Sequence, residues 1–190
     1  MQQTDNLLDA SLQETSLQPY FIYETSKQIP GSVHYSIRRY TKPQNWLAED
    51  VGMLKYHVEP SISEKNHLQL RFCVAGNMYC RQQQNECRQC IIHTSTNCNE
   101  RLESVDILSF VFTSTLLSQF IKSRMDGHSI MSEEVLAFKH TSSFSKIIPL
   151  CNRTRNVLEG LLNNTYSDTL ENIYVNAQTQ MLLLYSMDCM

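Results

Sequence analysis

The sequence is short of glycine, with five residues in 190, and it contains a single tryptophan. It has no glycine-rich loop of the kind that cradles phosphate groups. It also lacks the Gly-x-Ser-x-Gly motif that holds a nucleophilic serine on a sharp turn. These absences argue against a nucleotide-binding enzyme and against a serine hydrolase.

The sequence also has no excess of basic residues. It contains 16 Lys and Arg and 19 Asp and Glu, which gives a formal net charge of −3. Broad attraction to nucleic acid needs a basic surface. No apolar run reaches the roughly 18 residues that a membrane-spanning helix requires. The first 14 residues carry acidic side chains and no basic ones, unlike a secretory signal. We therefore expect a cytoplasmic protein with reduced cysteines and no membrane partner.

Short apolar stretches, several of them with an apolar residue at every second position, predict β-strands between residues 31 and 142. The strongest are Val33–Tyr40, Met53–Val58, Leu68–Val74 and Ile107–Phe112, and weaker candidates are Met78–Cys80, Cys90–Thr94 and Val135–Lys139. Turn residues such as Gly76-Asn77 separate them. Short strands at regular spacing predict a small barrel or sandwich.

After Phe112 the apolar residues recur at steps of three and four, which predicts helices. Thr113 or Ser114 is placed to cap the first, Ser143 or Ser145 to open the second, and Ser167 or Asp168 to cap the last. The predicted fold is α+β: a polar arm at 1–30, a β-rich barrel at 31–142 with a short helix at about 114–125, and a helical hairpin at 143–190.

A group of thiols and one imidazole forms the sharpest candidate metal site. Cys87 and Cys90 have the Cys-x-x-Cys spacing of zinc ligands, and Cys80 and His93 lie close by in the sequence. A second such pair is absent, so reduced structural thiols are the alternative reading. A different metal site would arise if His34, His57 and His67 converged on one face of the barrel, as in a metal-dependent cupin-type enzyme.

Two further sets of residues are candidates for binding. An apolar ligand pocket is predicted at Tyr35, Trp46, Tyr56 and Phe72, although each of these also suits an ordinary core position. A dimer interface is predicted on the last helix at Ile173, Ala177, Met181 and Leu184. Leu182 and Leu183 add more apolar surface than one side of that helix needs, which favours a partner.

Three features together resemble the N-terminal regulatory domain of AraC-type bacterial transcription regulators, in the branch that includes siderophore-responsive regulators. They are the strand Leu68–Val74 closed by Ala75-Gly76-Asn77, the strand Val105–Phe112 leading into Leu116–Ile121, and the helix pair Ile148–Asn163 and Thr169–Met187 with its segment Ile173-Tyr174-Val175-Asn176-Ala177-Gln178. The resemblance covers roughly residues 30–190.

The resemblance implies a cupin-like barrel that senses a small-molecule effector, with a helical hairpin that mediates homodimerisation. It implies no catalytic residues and no cofactor. The family's DNA-reading part is a pair of helix-turn-helix units of about 100 residues placed after this point. No such pattern occurs before Met190, so we expect a truncated chain that reaches DNA only through a missing domain. A metal-dependent cupin-type enzyme and a zinc-stabilised binding module remain the alternatives.

Overall fold

The computed structural model describes seven segments of the chain: 17–28, 34–42, 50–58, 66–75, 104–117, 134–162 and 164–189. These segments contain an antiparallel sheet and C-terminal helices, which confirms the predicted α+β class. The strands are β1 (Phe21–Gln28), β2 (His34–Thr41), β3 (Val51–His57), β4 (His67–Ala75), β5 (Ser104–Thr113) and β6 (Phe144–Pro149). The α-helices are α1 (Ser114–Leu117), α2 (Asn152–Leu162) and α3 (Asp168–Met187).

The six strands form one sheet in the order β1-β2-β5-β4-β3-β6, and every neighbouring pair is antiparallel. β1 and β6 are the two edges, so the sheet built by the described residues is open. The cupin-like barrel predicted from the sequence is therefore not confirmed. Two of the predicted strands, Met78–Cys80 and Cys90–Thr94, lie outside the described residues.

The helical hairpin of α2 and α3 covers one face of the sheet. Alternate residues of the central strands point to this face, because successive side chains in a strand point to opposite sides. Leu70 of β4 and Leu108 of β5 pack there in one core with Leu158 of α2 and Leu182 of α3. The opposite face has a smaller apolar cluster, in which Leu17 lies against strand residues including Met53, Cys73 and Ile107.

Two contacts show that α2 and α3 run antiparallel. Near the end of α2, an added Cβ at Gly160 would lie 2.5 Å from the Tyr174 hydroxyl in the second turn of α3. Near the start of α2, the Arg153 guanidinium lies 5.8 Å from the ring centroid of Tyr185, close to the end of α3. The predicted helical hairpin is thus present.

Two local predictions are wrong. Residues predicted to open a helix at Ser143 or Ser145 form β6 instead, where Phe144 pairs with Tyr56 of β3. Pairing with a distant strand overrides the local pattern, and Pro149 is tolerated because β6 is an edge strand. The predicted strand Val135–Lys139 is a helical turn, in which the Lys139 and His140 amides both donate to the Glu134 carbonyl.

The predicted N-caps of the first and last helices are found in the structure. Thr113 accepts a hydrogen bond from the Leu116 amide at 3.4 Å and so caps α1. Ser167 is the N-cap of α3, although its side chain makes no capping hydrogen bond. None of the described helices combines the length and the hydrophobicity that crossing a membrane requires.

Candidate functional site

A cavity of about 220 Å³ lies between the helical hairpin and the part of the sheet formed by β1, β2 and β5. Its apolar lining comes from the sheet and from both helices: Ile37, Leu108, Phe110, Leu161 and Val175. Its polar lining comes from β1, β2, the turn between the helices and the first turn of α3: Thr25, Ser26, Lys27, Tyr35, Asn164 and Glu171. Ligand pockets commonly measure about 300–1,000 Å³, so this cavity suits a small ligand.

Two side chains meet at the carboxylate of Glu171. Lys27, on the edge strand β1, donates a hydrogen bond from Nζ to Glu171 Oε2 across the gap between sheet and helix. The register places Lys27 directly beside Tyr35 of β2, on the same face of the sheet. Tyr35 also hydrogen-bonds to Glu171. The carboxylate therefore joins a cation and a phenol that belong to neighbouring strands.

The surroundings of Tyr35 keep its phenol protonated. Three effects together raise the pKa of Tyr35 to about 12: burial, which is the largest, the charge of Glu171, and the hydrogen bond to Glu171. The ring of Tyr35 stacks on that of Phe110, its partner across β2 and β5, with ring centroids 6.2 Å apart. At neutral pH the phenol is therefore protonated and can donate a hydrogen bond.

The turn between the helices supplies Asn164. This residue is buried, and its Oδ1 accepts a hydrogen bond from the Tyr166 amide at 2.9 Å. Such a bond two residues along the chain forms an Asx-turn, which fixes the path of the backbone between α2 and α3. The turn therefore holds an amide side chain at the wall of the cavity.

Of the four predicted pocket residues, the structure describes Tyr35, Tyr56 and Phe72 and places them in different surroundings. Tyr35 lines the cavity, whereas Tyr56 and Phe72 are fully buried in the main core. Tyr56 donates a hydrogen bond to the His140 carbonyl at 3.2 Å, and Phe72 contacts Phe110 edge to face at 6.2 Å. Trp46 lies outside the described residues.

Of the three histidines of the predicted cupin-type site, two are neighbours in the structure and the third pairs with a different residue. His57 and His67 are partners across β3 and β4, with ring centroids 4.9 Å apart. His34 lies on β2, where its Nε2 is 2.9 Å from Ser26 Oγ. Among the described residues, no three His, Cys, Asp or Glu side chains are placed to hold a metal ion. The other candidate ligands, Cys80, Cys87, Cys90 and His93, lie outside those residues.

The predicted dimer residues form an exposed stripe on α3. Ile173 is 63% exposed, and Ala177, Met181 and Leu184 follow it at helical spacing and are also exposed. Leu170 extends the stripe towards the start of the helix at 62% exposure. Leu182 and Leu183, in contrast, face the core. We call the five exposed residues the α3 stripe.

Comparison of the chain with protein-family models, with characterised proteins and with solved structures finds no match. The site is therefore defined by its own geometry. Lys27 and Glu171 are not predicted from the sequence, because they are 144 residues apart and follow no recognisable spacing. Only the sheet register and the position of α3 bring them together.

Proposed function

We propose that the chain is a regulatory module that binds a small-molecule effector and dimerises, and that it is not an enzyme. The observation that carries the proposal is that one helix both borders the cavity and carries the exposed stripe. Glu171 and Val175 of α3 line the cavity, while Ile173 and Ala177 on the same turns lie in the exposed α3 stripe. A ligand that shifts α3 would therefore shift the face that a second copy contacts.

The lining of the cavity indicates the chemical class of the effector. Its aliphatic and aromatic walls suit a compact apolar body. Lys27 is partly exposed and carries two ammonium hydrogens beyond the one it gives to Glu171, so it suits a hydroxyl, carbonyl or carboxylate group on the ligand. The proposed effector is a small amphipathic molecule with one such polar group.

The resemblance to AraC-type regulators supplies the wider setting of the proposal. In that setting the module is cytoplasmic and bacterial, and it controls a DNA-binding domain elsewhere. We also propose that the sheet is part of a cupin-like barrel. Such a barrel would need further strands that close the sheet between its edge strands β1 and β6.

Thermal unfolding with a panel of small alcohols, lactones and carboxylates tests the effector site. A ligand at about a hundredfold excess over its Kd is expected to raise the Tm by roughly 5–10 °C. Lys27→Met should remove most of that shift, because it removes the cation from the cavity. Lys55→Met is the matched control, since Lys55 lies on β3 on the face of the sheet opposite the hairpin.

Backbone amide NMR shifts locate the ligand independently of stability. Binding should perturb residues of β1, β2 and the first turns of α3. A ligand that perturbs other regions, or whose Tm shift is equal in the Lys27→Met and Lys55→Met variants, would contradict the assignment of the effector to this cavity.

A further inference from the structure

Two cysteines lie at the open end of the helical hairpin, away from the effector cavity. Cys151 immediately precedes α2, and Cys189 lies two residues beyond the end of α3. Because the helices are antiparallel, the start of α2 and the end of α3 are neighbours, as the contact between Arg153 and Tyr185 shows. Both cysteines are partly exposed, and neither is in a disulfide.

The surroundings of Cys151 favour its thiolate. Its Sγ lies 3.3 Å from Thr154 Oγ1, and the hydrogen bond from this hydroxyl is the main reason that the pKa of Cys151 is lowered. Burial, the second-largest effect, opposes this shift, and the backbone amides of Thr154 and Arg153 and the charge of Arg153 lower the pKa further. A thiolate with donors of this kind in the first turn of a helix is a reactive nucleophile.

The pKa of Cys189 is shifted in the opposite direction from that of Cys151. Burial raises the pKa of Cys189, the charges of Cys151 and Asp188 add to that effect, and Lys146 of β6 opposes it. The charge effect of Cys151 on Cys189 agrees with the position of both residues at the open end of the hairpin. Cys73 provides a contrast, because burial in the sheet raises the pKa of its thiol to about 12.

We propose that Cys151 and Cys189 form a peroxide-responsive thiol pair that closes into a disulfide across the open end of the hairpin. The Cys151 thiolate attacks hydrogen peroxide, the O–O bond breaks, and the departing hydroxide takes a proton to become water. Cys151 is then a sulfenic acid. The Cys189 sulfur attacks it, an S–S bond forms as the S–O bond breaks, and the hydroxyl leaves with the Cys189 proton as a second water.

The disulfide would tie the first residue before α2 to the last turn after α3. All of α3 lies within the closed loop, including the α3 stripe and Glu171. Oxidation would therefore fix the hairpin in one arrangement, and reduction would release it. This inference concerns a site separate from the effector cavity, and it stands whether or not the cavity binds an effector.

Peptide mapping by mass spectrometry without reductant, after treatment of the reduced full chain with hydrogen peroxide, tests the pair. A Cys151–Cys189 cross-link, lost again on reduction, is the expected result. The Cys189→Ser variant should trap a sulfenic acid at Cys151, which dimedone labels, and the Cys151→Ser variant should give neither product. Cys73 should stay unmodified throughout and serves as the internal control.

A second pair of variants tests the role of Thr154. Thr154→Val removes the hydroxyl beside Cys151, and we expect oxidation of Cys151 to slow by about tenfold. Thr179→Val is the matched control, because Thr179 is equally buried but its hydroxyl bonds to the Asn176 carbonyl in α3. Cross-links from Cys151 to another cysteine, no modification of Cys151, or equal slowing in both threonine variants would overturn the proposal.

Discussion

The phenol of Tyr35 lies between a stacked aromatic ring and a carboxylate, and its burial and the carboxylate both favour its protonated form. The pKa of Tyr35 is raised to about 12, whereas a tyrosine in an unfolded chain titrates near 10. The folded protein thus holds this proton more tightly than the unfolded chain does. The stabilisation that results is fully present below about pH 10 and is lost as the pH rises towards 12.

Glu171→Gln tests how much of this shift comes from the carboxylate. We expect the pKa of Tyr35 to fall but to stay above the ordinary tyrosine value, because burial, the largest cause, remains. The measurement is the tyrosinate absorbance against pH, with a Tyr35→Phe titration subtracted to isolate this residue. An unchanged pKa in the Glu171→Gln variant would show that the carboxylate does not act on the phenol.

A buried ion pair links β2 to β5, where Arg39 and Asp106 are partners across the two strands. The Arg39 guanidinium donates two hydrogen bonds to the Asp106 carboxylate, at 2.7 and 2.8 Å, and the two side chains are 4% and 2% exposed. Removing one partner leaves the other charge buried and unpaired, which costs about 3–5 kcal/mol.

Urea unfolding of a double-mutant cycle measures the interaction in this pair. Arg39→Met and Asp106→Leu should each lower the free energy of unfolding by about 3–5 kcal/mol. The double variant should lose clearly less than the sum, because it buries no unpaired charge. Additive losses would mean that the two side chains contribute independently.

At the scale of elements, Gly52 of β3 has no side chain, which lets residues of the neighbouring strands β4 and β6 pack closely against its backbone. An added Cβ would lie 2.7 Å from Ile148 Cγ1 and 2.9 Å from Phe72 Cε1, both buried in the core. Gly52→Val should therefore destabilise the protein by about 1–3 kcal/mol, measured by urea unfolding. Gly160→Ala is the contrasting variant, because its Cβ meets only the end of the Tyr174 side chain, and its effect should be small.

The elements that the sequence predicts well are those whose local pattern agrees with their position in the fold. Leu68–Val74 falls within β4, where buried and partly buried residues alternate from Leu68 to Phe72 as the sequence pattern predicts. Ile107–Phe112 falls within β5, which is mostly buried. β6 escaped prediction because Ile147 and Ile148 are adjacent and Pro149 follows, which is typical of a helix start. In β6 the side chain of Ile147 is exposed and that of Ile148 is buried in the core. This alternation arises from the pairing of β6 with β3.

The candidate site was less predictable than the fold for a related reason. Tyr35 was found because it lies in an alternating strand, but Lys27 and Glu171 lie in segments whose local patterns give no sign of a site. Their pairing depends on the distance between β1 and α3, which is a property of the tertiary packing. Aromatic residues such as Tyr56 and Phe72 looked equally suited to a pocket, and the packing placed them in the core instead.

At the scale of the whole molecule, the α3 stripe leaves large apolar side chains in contact with water. Leu170 and Ile173 are each more than 60% exposed, on the helix whose other side holds the core and the cavity wall. Contiguous exposed apolar surface favours contact with another protein, and a stripe on one helix suits a symmetric pairing with the same stripe of a second copy. We therefore expect dimers in solution.

Sedimentation velocity over a range of protein concentrations tests this expectation. Wild type should shift from monomer to dimer as the concentration rises, and Ile173→Glu combined with Met181→Glu should remain monomeric, because each charge would be buried in the interface. Ile147→Glu is the matched control, since Ile147 is 48% exposed but lies on the edge strand β6. A wild-type protein that stays monomeric at every concentration, or a control that dissociates as the stripe variant does, would remove the α3 stripe as the dimer contact.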